Sequence, residues 1–226
     1  MGMKTKVVLG AVVGVVVIGA VSANGGGDDG KSSGDKGSSA SADRKSGAGE
    51  DSGAEAAAEK KVAFEGDGDF QVGSDIKPGT YRTTGNTDDM CYWERAKDAS
   101  GEMDSLLAND NVSGTSYVTI KDTDKIFKSS GCNDWEAVDT KAKGSPADKM
   151  AGSGGMFRVG VDIAPGTYKS TGNTDDMCYW ERAKDADHSI DSIIANNNVS
   201  GSAVVTISAS DAYFKTSGCQ DWKKTG

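Results

Sequence analysis

Apolar and polar positions alternate along some stretches of this chain and separate cleanly along others. Val7 to Ala23 (VVLGAVVGVVVIGAVSA) runs 17 residues without a charge, behind Lys4 and Lys6. A basic start, an apolar stretch and small residues at Val21-Ser22-Ala23 form the pattern of an export signal. The run is also at the short end of what spans a bilayer, and the lysines ahead of it place everything downstream outside. Residues 1–23 are expected to be a cleaved signal peptide or a membrane-anchoring apolar helix, and either way the chain is exported. No cysteine follows the run, which excludes a lipid-modified one. Residues 24–62 are built from Gly, Ser, Ala, Asp, Glu and Lys, too polar to offset the entropy of ordering, and are expected to be a disordered linker.

The pattern then changes to the period of two that marks strands. Phe70-Gln71-Val72 alternates, Pro78-Gly79 is a turn signal, and Thr80-Tyr81-Arg82-Thr83 follows. Cys91-Tyr92-Trp93-Glu94-Arg95 places Cys91 and Trp93 on one face and Tyr92 and Glu94 on the other. Tyr117-Val118-Thr119-Ile120 predicts another strand, and Ile126-Phe127-Lys128 leads into a last one carrying Cys132. Met103, Leu106 and Leu107 read as a single helical turn, although Ile190, Ile193 and Ile194 at the matching later positions favour a strand.

Those later positions exist because the pattern occurs twice. Residues 68–135 align with 155–222 at a constant offset of 87, with 45 of the 68 positions identical. Fourteen of the 15 aromatic residues lie inside these repeats, which identifies them as the folded units. The expected layout is repeat domain 1 at 63–135, a connector at 136–154, repeat domain 2 at 155–222 and a tail at 223–226. The expected fold is all-β, with two tandem small antiparallel β-sandwich or barrel domains of five to seven short strands each.

Each copy carries two cysteines 41 apart, Cys91 with Cys132 and Cys178 with Cys219. In an exported chain, evenly paired cysteines read as disulfides. Duplication selects pairing within each copy, since the unit had to fold before it was copied. The chain-entropy model puts each bridge at roughly 4 kcal/mol, comparable to what the core of so small a unit supplies alone. A four-cysteine metal site lacks any CxxC pair.

Charge narrows the partners. Thirty-four acids against 25 bases give −9, and the excess sits on the repeats: 12 acids and 7 bases in the first (−5), 9 and 5 in the second (−4). An acidic surface excludes nucleic acid, and contact with the membrane is expected only through the N-terminal segment. Catalysis has little to work with. His188 is the sole histidine and the first copy has Gly101 there, the cysteines are committed to bridges, and Asp88 and Asp89 are adjacent, so on a strand they would point to opposite faces. The chain is expected to be non-enzymatic and without a cofactor.

The longest identical stretch, Thr84–Ala99 and Thr171–Ala186, is the candidate site. It could be structural throughout, with a turn at Gly85-Asn86-Thr87-Asp88 and a core of Cys91 and Trp93. It could present a recognition face of Tyr81, Tyr92, Glu94 and Arg95, repeated as Tyr168, Tyr179, Glu181 and Arg182, because exposed aromatics beside fixed polar groups suit recognition. Or Asn86, Asp88 and Asp89, with Asn173, Asp175 and Asp176, could offer oxygen ligands to calcium, though without the spacing of a dedicated loop. Asn111-Val-Ser113 and Asn198-Val-Ser200 match the glycosylation pattern.

The motifs VGxDIxPGTYR, CYWERAKDxSGExxSLLANxNVSG, VTIKxxD and FKSSGC resemble a domain recurring in uncharacterised exported proteins of Streptomyces and related actinobacteria. That resemblance covers both repeats and implies a location and an architecture: a signal or anchor, a polar tether, then one or more such domains. The combined expectation is a cell-envelope or secreted protein presenting two modules for adhesion or recognition, with a cell-wall glycan or an exported protein as partner. The alternatives are an enzyme-associated or inhibitory module whose second copy is specialised by His188, and a purely structural envelope spacer.

Overall fold

The computed structural model describes residues 61–226. The apolar run at 1–23 and nearly all of the tether lie outside the described residues. Repeat 1 comprises β1 (Val62–Phe64), β2 (Gly68–Gln71), β3 (Gly79–Ala96), β4 (Leu106–Ile120), β5 (Ile126–Ser130) and β6 (Trp135–Ala137). Repeat 2 follows with β7 (Lys149–Met150), β8 (Gly155–Arg158), β9 (Gly166–Ala183), β10 (Ile193–Ile207), β11 (Tyr213–Ser217) and β12 (Trp222–Lys224). The described residues are thus all-β, six strands per repeat.

The stretches Thr80–Thr83 and Cys91–Arg95 are two halves of one long strand, β3. Its first half pairs with β6 and its second with β5, while β4 runs antiparallel beside both. The change occurs at a bulge: Asn86 pairs with Gly114 and Cys91 with Val112, leaving extra residues on β3 between them. Rings from both half-sheets meet in the core. Phe64 of β1 lies 4.9 Å from Tyr81, 5.0 Å from Phe70 and 5.7 Å from Phe127, ring centre to ring centre. Trp93, Phe127 and Trp135 are wholly buried among them. The ambiguous segment is both things in succession: Met103–Ser105 forms one tight 3-10 turn, and β4 begins at Leu106.

Both disulfides form within their own copy, Cys91–Cys132 and Cys178–Cys219. Cys132 lies between β5 and β6 rather than on the last strand, as the sequence had suggested. The bridge ties the bulged middle of β3 to the crossover between the two half-sheets.

The domain borders differ from the sequence expectation at all four ends. β1 begins at Val62, the last residue of the expected linker, β6 extends past residue 135, and β7 lies inside the expected connector, where it pairs with β12, itself reaching into the expected tail. For β7 the physical reason is a one-residue slip. Gly66 donates its N–H to Asp134 and Gly152 donates to Asp221, so the copies correspond at an offset of 86 here instead of 87. Met150 thereby fills the core position of Phe64. A gap-free comparison of the copies breaks off before this strand.

The two repeats are docked against each other asymmetrically. The outer edge of β4 presents the N–H of Thr115, the carbonyl of Tyr117 and the N–H of Thr119. Repeat 2 meets all three, with the carbonyl of Gly154 at 3.0 Å, His188 Nε2 at 2.7 Å and the carbonyl of Ala186 at 2.8 Å. The His188 ring stands edge-on to Trp93, 4.7 Å between centres. Arg95 Nη1 donates to the Asp187 carbonyl at 2.8 Å. Lys121 pairs with Asp187 at 2.5 Å and Lys215 with Asp110 at 2.7 Å. Tyr117 packs with Met156, Ala183, Ala186 and Tyr213, and its hydroxyl donates to Asp162 at 2.8 Å. The approach demands glycine: a Cβ on Gly155 would lie 2.1 Å from the Thr115 carbonyl, and Gly155 has φ +85°.

His188 occupies left-handed backbone, φ 54°, where repeat 1 has Gly101 at φ 72°. That conformation costs a non-glycine residue about 1–2 kcal/mol, which the seam contacts of the ring offset. Burial holds the His188 imidazole below its ordinary 6.5, and Lys215 adds to the depression, against smaller opposing effects of Asp110, the Tyr117 carbonyl and Glu181. The folded protein therefore takes this proton less readily than the unfolded chain, so the stability is complete above about pH 6.5 and falls as pH drops below it. Urea unfolding should show a slope of at most about 1.4 kcal/mol per pH unit between about pH 6.5 and 5.5. His188→Gly should remove it, since His188 is the sole histidine; a slope unchanged in that variant would contradict the placement. Gly155→Ala should disrupt the seam while leaving both disulfides intact, read as loss of amide protection at Thr119.

Candidate recognition face

The structure separates the residues of the candidate face into two groups. Tyr81 and Tyr168 are core residues, contrary to their expected exposure. Their hydroxyls donate to the carbonyls of Lys77 and Ala164, at 2.6 and 2.7 Å. Arg95 also leaves the surface: it lies on the Trp93 side of β3, and Asp124 holds it by two bonds of 2.6 and 3.0 Å. Arg182 is held the same way by Asp211, at 2.6 and 2.9 Å, although its side chain is less covered. Period two explains both corrections, because 81, 83, 91, 93 and 95 share the inward side, the bulge between 83 and 91 leaving the parity unchanged.

Tyr92 and Glu94 remain on the outer side. Tyr92 donates its hydroxyl to Glu94 at 2.6 Å, and the Asn109 amide donates to that hydroxyl at 3.5 Å. Repeat 2 reproduces this with Tyr179 to Glu181 at 2.6 Å and Asn196 to Tyr179 at 3.3 Å. Burial and the neighbouring carboxylate raise both phenols above their ordinary value, so each stays a donor at neutral pH. Register places further residues around each trio. Asn111 lies opposite Tyr92, Lys128 opposite Glu94, and Leu107 follows on the exposed side of β4. At the bulge Met90 is 71% exposed and Met177 68%. Met103, Leu107, Ile190 and Ile194 are also exposed. Large apolar groups therefore stay in water at three matching positions of the two copies, and two of these pairs, Met90 with Met177 and Leu107 with Ile194, lie two residues along the strand from a member of the Tyr–Glu–Asn trios. The sequence reading left Asn109 and Leu107 out of the face and gave Met90, inside the candidate stretch, no part in it; the signal for the first two was that they flank the buried Ala108 on one strand.

The bulge residues have a structural task that competes with metal binding. Asn86 is buried, accepts the Asn133 N–H at 2.8 Å and donates to the Gly114 carbonyl at 3.0 Å. Asn173 does the same with Gln220 and Gly201, at 2.8 and 3.0 Å. Their amides are occupied inside the fold, which removes both from a calcium ligand set. Asp89 and Asp176 stand in left-handed backbone on the exposed bulge. No cluster of three or more acidic, histidine or cysteine side chains is placed to hold a metal among the described residues. His188 faces the seam between repeats and not this face.

Two disulfide-stapled β domains in tandem, with these borders, define an exported protein built from a repeated extracellular module. The Rv1352-like extracellular domain matches residues 62–136 and again 148–223, and the chain belongs to that family. Those borders include β7 and leave a shorter connector than the repeat count suggested. Relatives include "Uncharacterized protein Rv1352" of Mycobacterium tuberculosis (strain H37Rv), 30% identical over 95 residues, 37% of this chain and 77% of the relative. "Uncharacterized protein Mb1387" of Mycobacterium bovis matches to the same extent. No solved structure matches.

Separating the buried amide from the exposed trio generates a test on stability. Asn86→Ala leaves the Gly114 carbonyl and the Asn133 N–H without a partner and should cost about 1–3 kcal/mol. Glu94→Gln, on the outer side, should stay within about 0.5 kcal/mol. Urea denaturation of the two variants checks this, and equal losses would show that the outer trio is structural too.

Proposed function

We propose that this protein is a non-enzymatic recognition module of the cell envelope, and that its partner is the basic surface of another exported protein. The observation that carries the reading is the recurrence, in both repeats, of a half-exposed Tyr–Glu–Asn trio flanked by exposed methionine, leucine or isoleucine. Tyrosine and methionine are enriched in protein interfaces, and a hydroxyl already fixed by a carboxylate loses little freedom on binding. An acidic chain of −9 favours a basic counterpart. The docked repeats hold their two faces at a set separation, which favours a partner presenting two matching sites.

A wall glycan is the second reading, favoured by the carboxylate, amides and phenol lying side by side on each face. His188 lends no support to the alternative of an enzyme-associated or inhibitory module with a specialised second copy, since its ring is engaged at the seam. Binding of the full chain to purified exported proteins and, in parallel, to purified wall polymer tests the readings. Tyr92→Ala and Tyr179→Ala should each weaken binding to a basic protein by about tenfold, and the pair together by more than either. Binding to wall polymer alone would transfer the role to the glycan reading. Binding to neither would leave a structural spacer.

A further inference from the structure

β4 and β10 are the same strand in two settings. On β4 the outward groups of Thr115, Tyr117 and Thr119 are bonded by repeat 2. On β10 the matching residues are Ser202, Val204 and Thr206, in the same register against β9. Among the described residues β10 pairs with β9 alone, so the edge that repeat 2 covers on its neighbour is open on itself. Val204, where repeat 1 has the buried Tyr117, is 59% exposed.

Native edge strands are ordinarily blunted by charge, proline or a covering element. Among the described residues none protects this one. Ile193 to Ser210 is an 18-residue stretch without a charge or a proline, in a chain of net charge −9. The matching segment of repeat 1 carries Asp110, Lys121 and Asp122, of which Asp110 and Lys121 are used at the seam. Ser202–Thr206 (SAVVT) is rich in residues that favour strands.

Head-to-tail stacking of further chains does not fit. Repeat 1 has Asp69 where repeat 2 has Met156, Gly101 for His188 and Ile126 for Tyr213. Repeat 2 has Asn197 for Asp110 and Ser208 for Lys121. Both halves of the seam contact are missing from the free ends. A strand that pairs with its own copy needs neither half. We propose that the β10 edge seats a second copy of this chain, antiparallel and two-fold symmetric about Val204. Val204 then exchanges both main-chain bonds with its counterpart, and Ser202 does so with Thr206 of the second copy, about six bonds in all. The dyad places uncharged side chains opposite one another, so two acidic proteins meet where neither is charged. This pairing continues the edge contact already seen within the chain, and it stands independently of the recognition reading.

Sedimentation of the full chain tests it. The wild type should be a dimer at about 100 µM. Val204→Lys and Val204→Asp should each weaken dimerisation by at least about tenfold through like charges across the dyad. A one-to-one mixture of these two variants should recover the dimer. Because Val204 is exposed, both variants should keep the wild-type circular dichroism and, at dilutions where the wild type is itself monomeric, melt within about 2 °C of it. A wild type that stays monomeric, a dimer untouched by Val204→Lys, or a mixture that fails to recover would each overturn the proposal.

Discussion

A strand edge with unbonded amides and carbonyls is the constraint on which this molecule turns. β4 is long because it spans both half-sheets of its repeat, and its outward side has no strand of repeat 1 to meet. Burying that edge without partners would cost a few kcal/mol for each polar group left unpaired. Repeat 2 supplies a carbonyl, an imidazole N–H and another carbonyl at the matching spacing. Tyr117 and Trp93 are then covered by the same approach, so apolar burial and edge capping reinforce each other. Two small domains become one body through the groups that one of them could not satisfy.

This asymmetry accounts for six of the positions at which the copies diverge. Identical repeats joined head to tail experience different surroundings, because one offers its β4 edge and the other its β8 side. Asp110, Tyr117 and Lys121 correspond to Asn197, Val204 and Ser208 in repeat 2, and Gly101, Asp69 and Ile126 correspond to His188, Met156 and Tyr213. Each of these positions lies at the seam in one copy and away from it in the other. His188, the most conspicuous difference, caps an edge. The Tyr–Glu–Asn trio does not diverge, in keeping with a face that both copies hold in common.

Strand type, the paired cysteines and the repeat itself were legible in the sequence, because each leaves a local mark: alternation at Cys91–Arg95, even cysteine spacing, identity at a fixed offset. The assignment of Arg95 to an outer face went against a local signal, because alternation from Cys91 and Trp93 already puts 95 on their side. Tyr81 was misplaced for a nonlocal reason: alternation in Thr80–Thr83 separates two faces, and only the packing of Phe64 against Tyr81 shows which of them is the core. β7 escaped notice because a single inserted residue shifts the offset, and because Met150 replaces an aromatic ring in the core. Docking was the least legible feature. Nothing in the alternation of β4 distinguishes a solvent-exposed Tyr117 from one covered by a neighbouring domain.

Amide hydrogen exchange at Thr115 and Thr119 addresses the docking most directly. Both N–H groups point away from their own sheet, so protection there can come only from outside repeat 1. Docked repeats predict slowing by at least about a hundredfold relative to an exposed strand amide, given an opening free energy of a few kcal/mol. Exchange of both at the rate of free amides, in a protein whose core amides remain protected, would contradict the union of the two repeats.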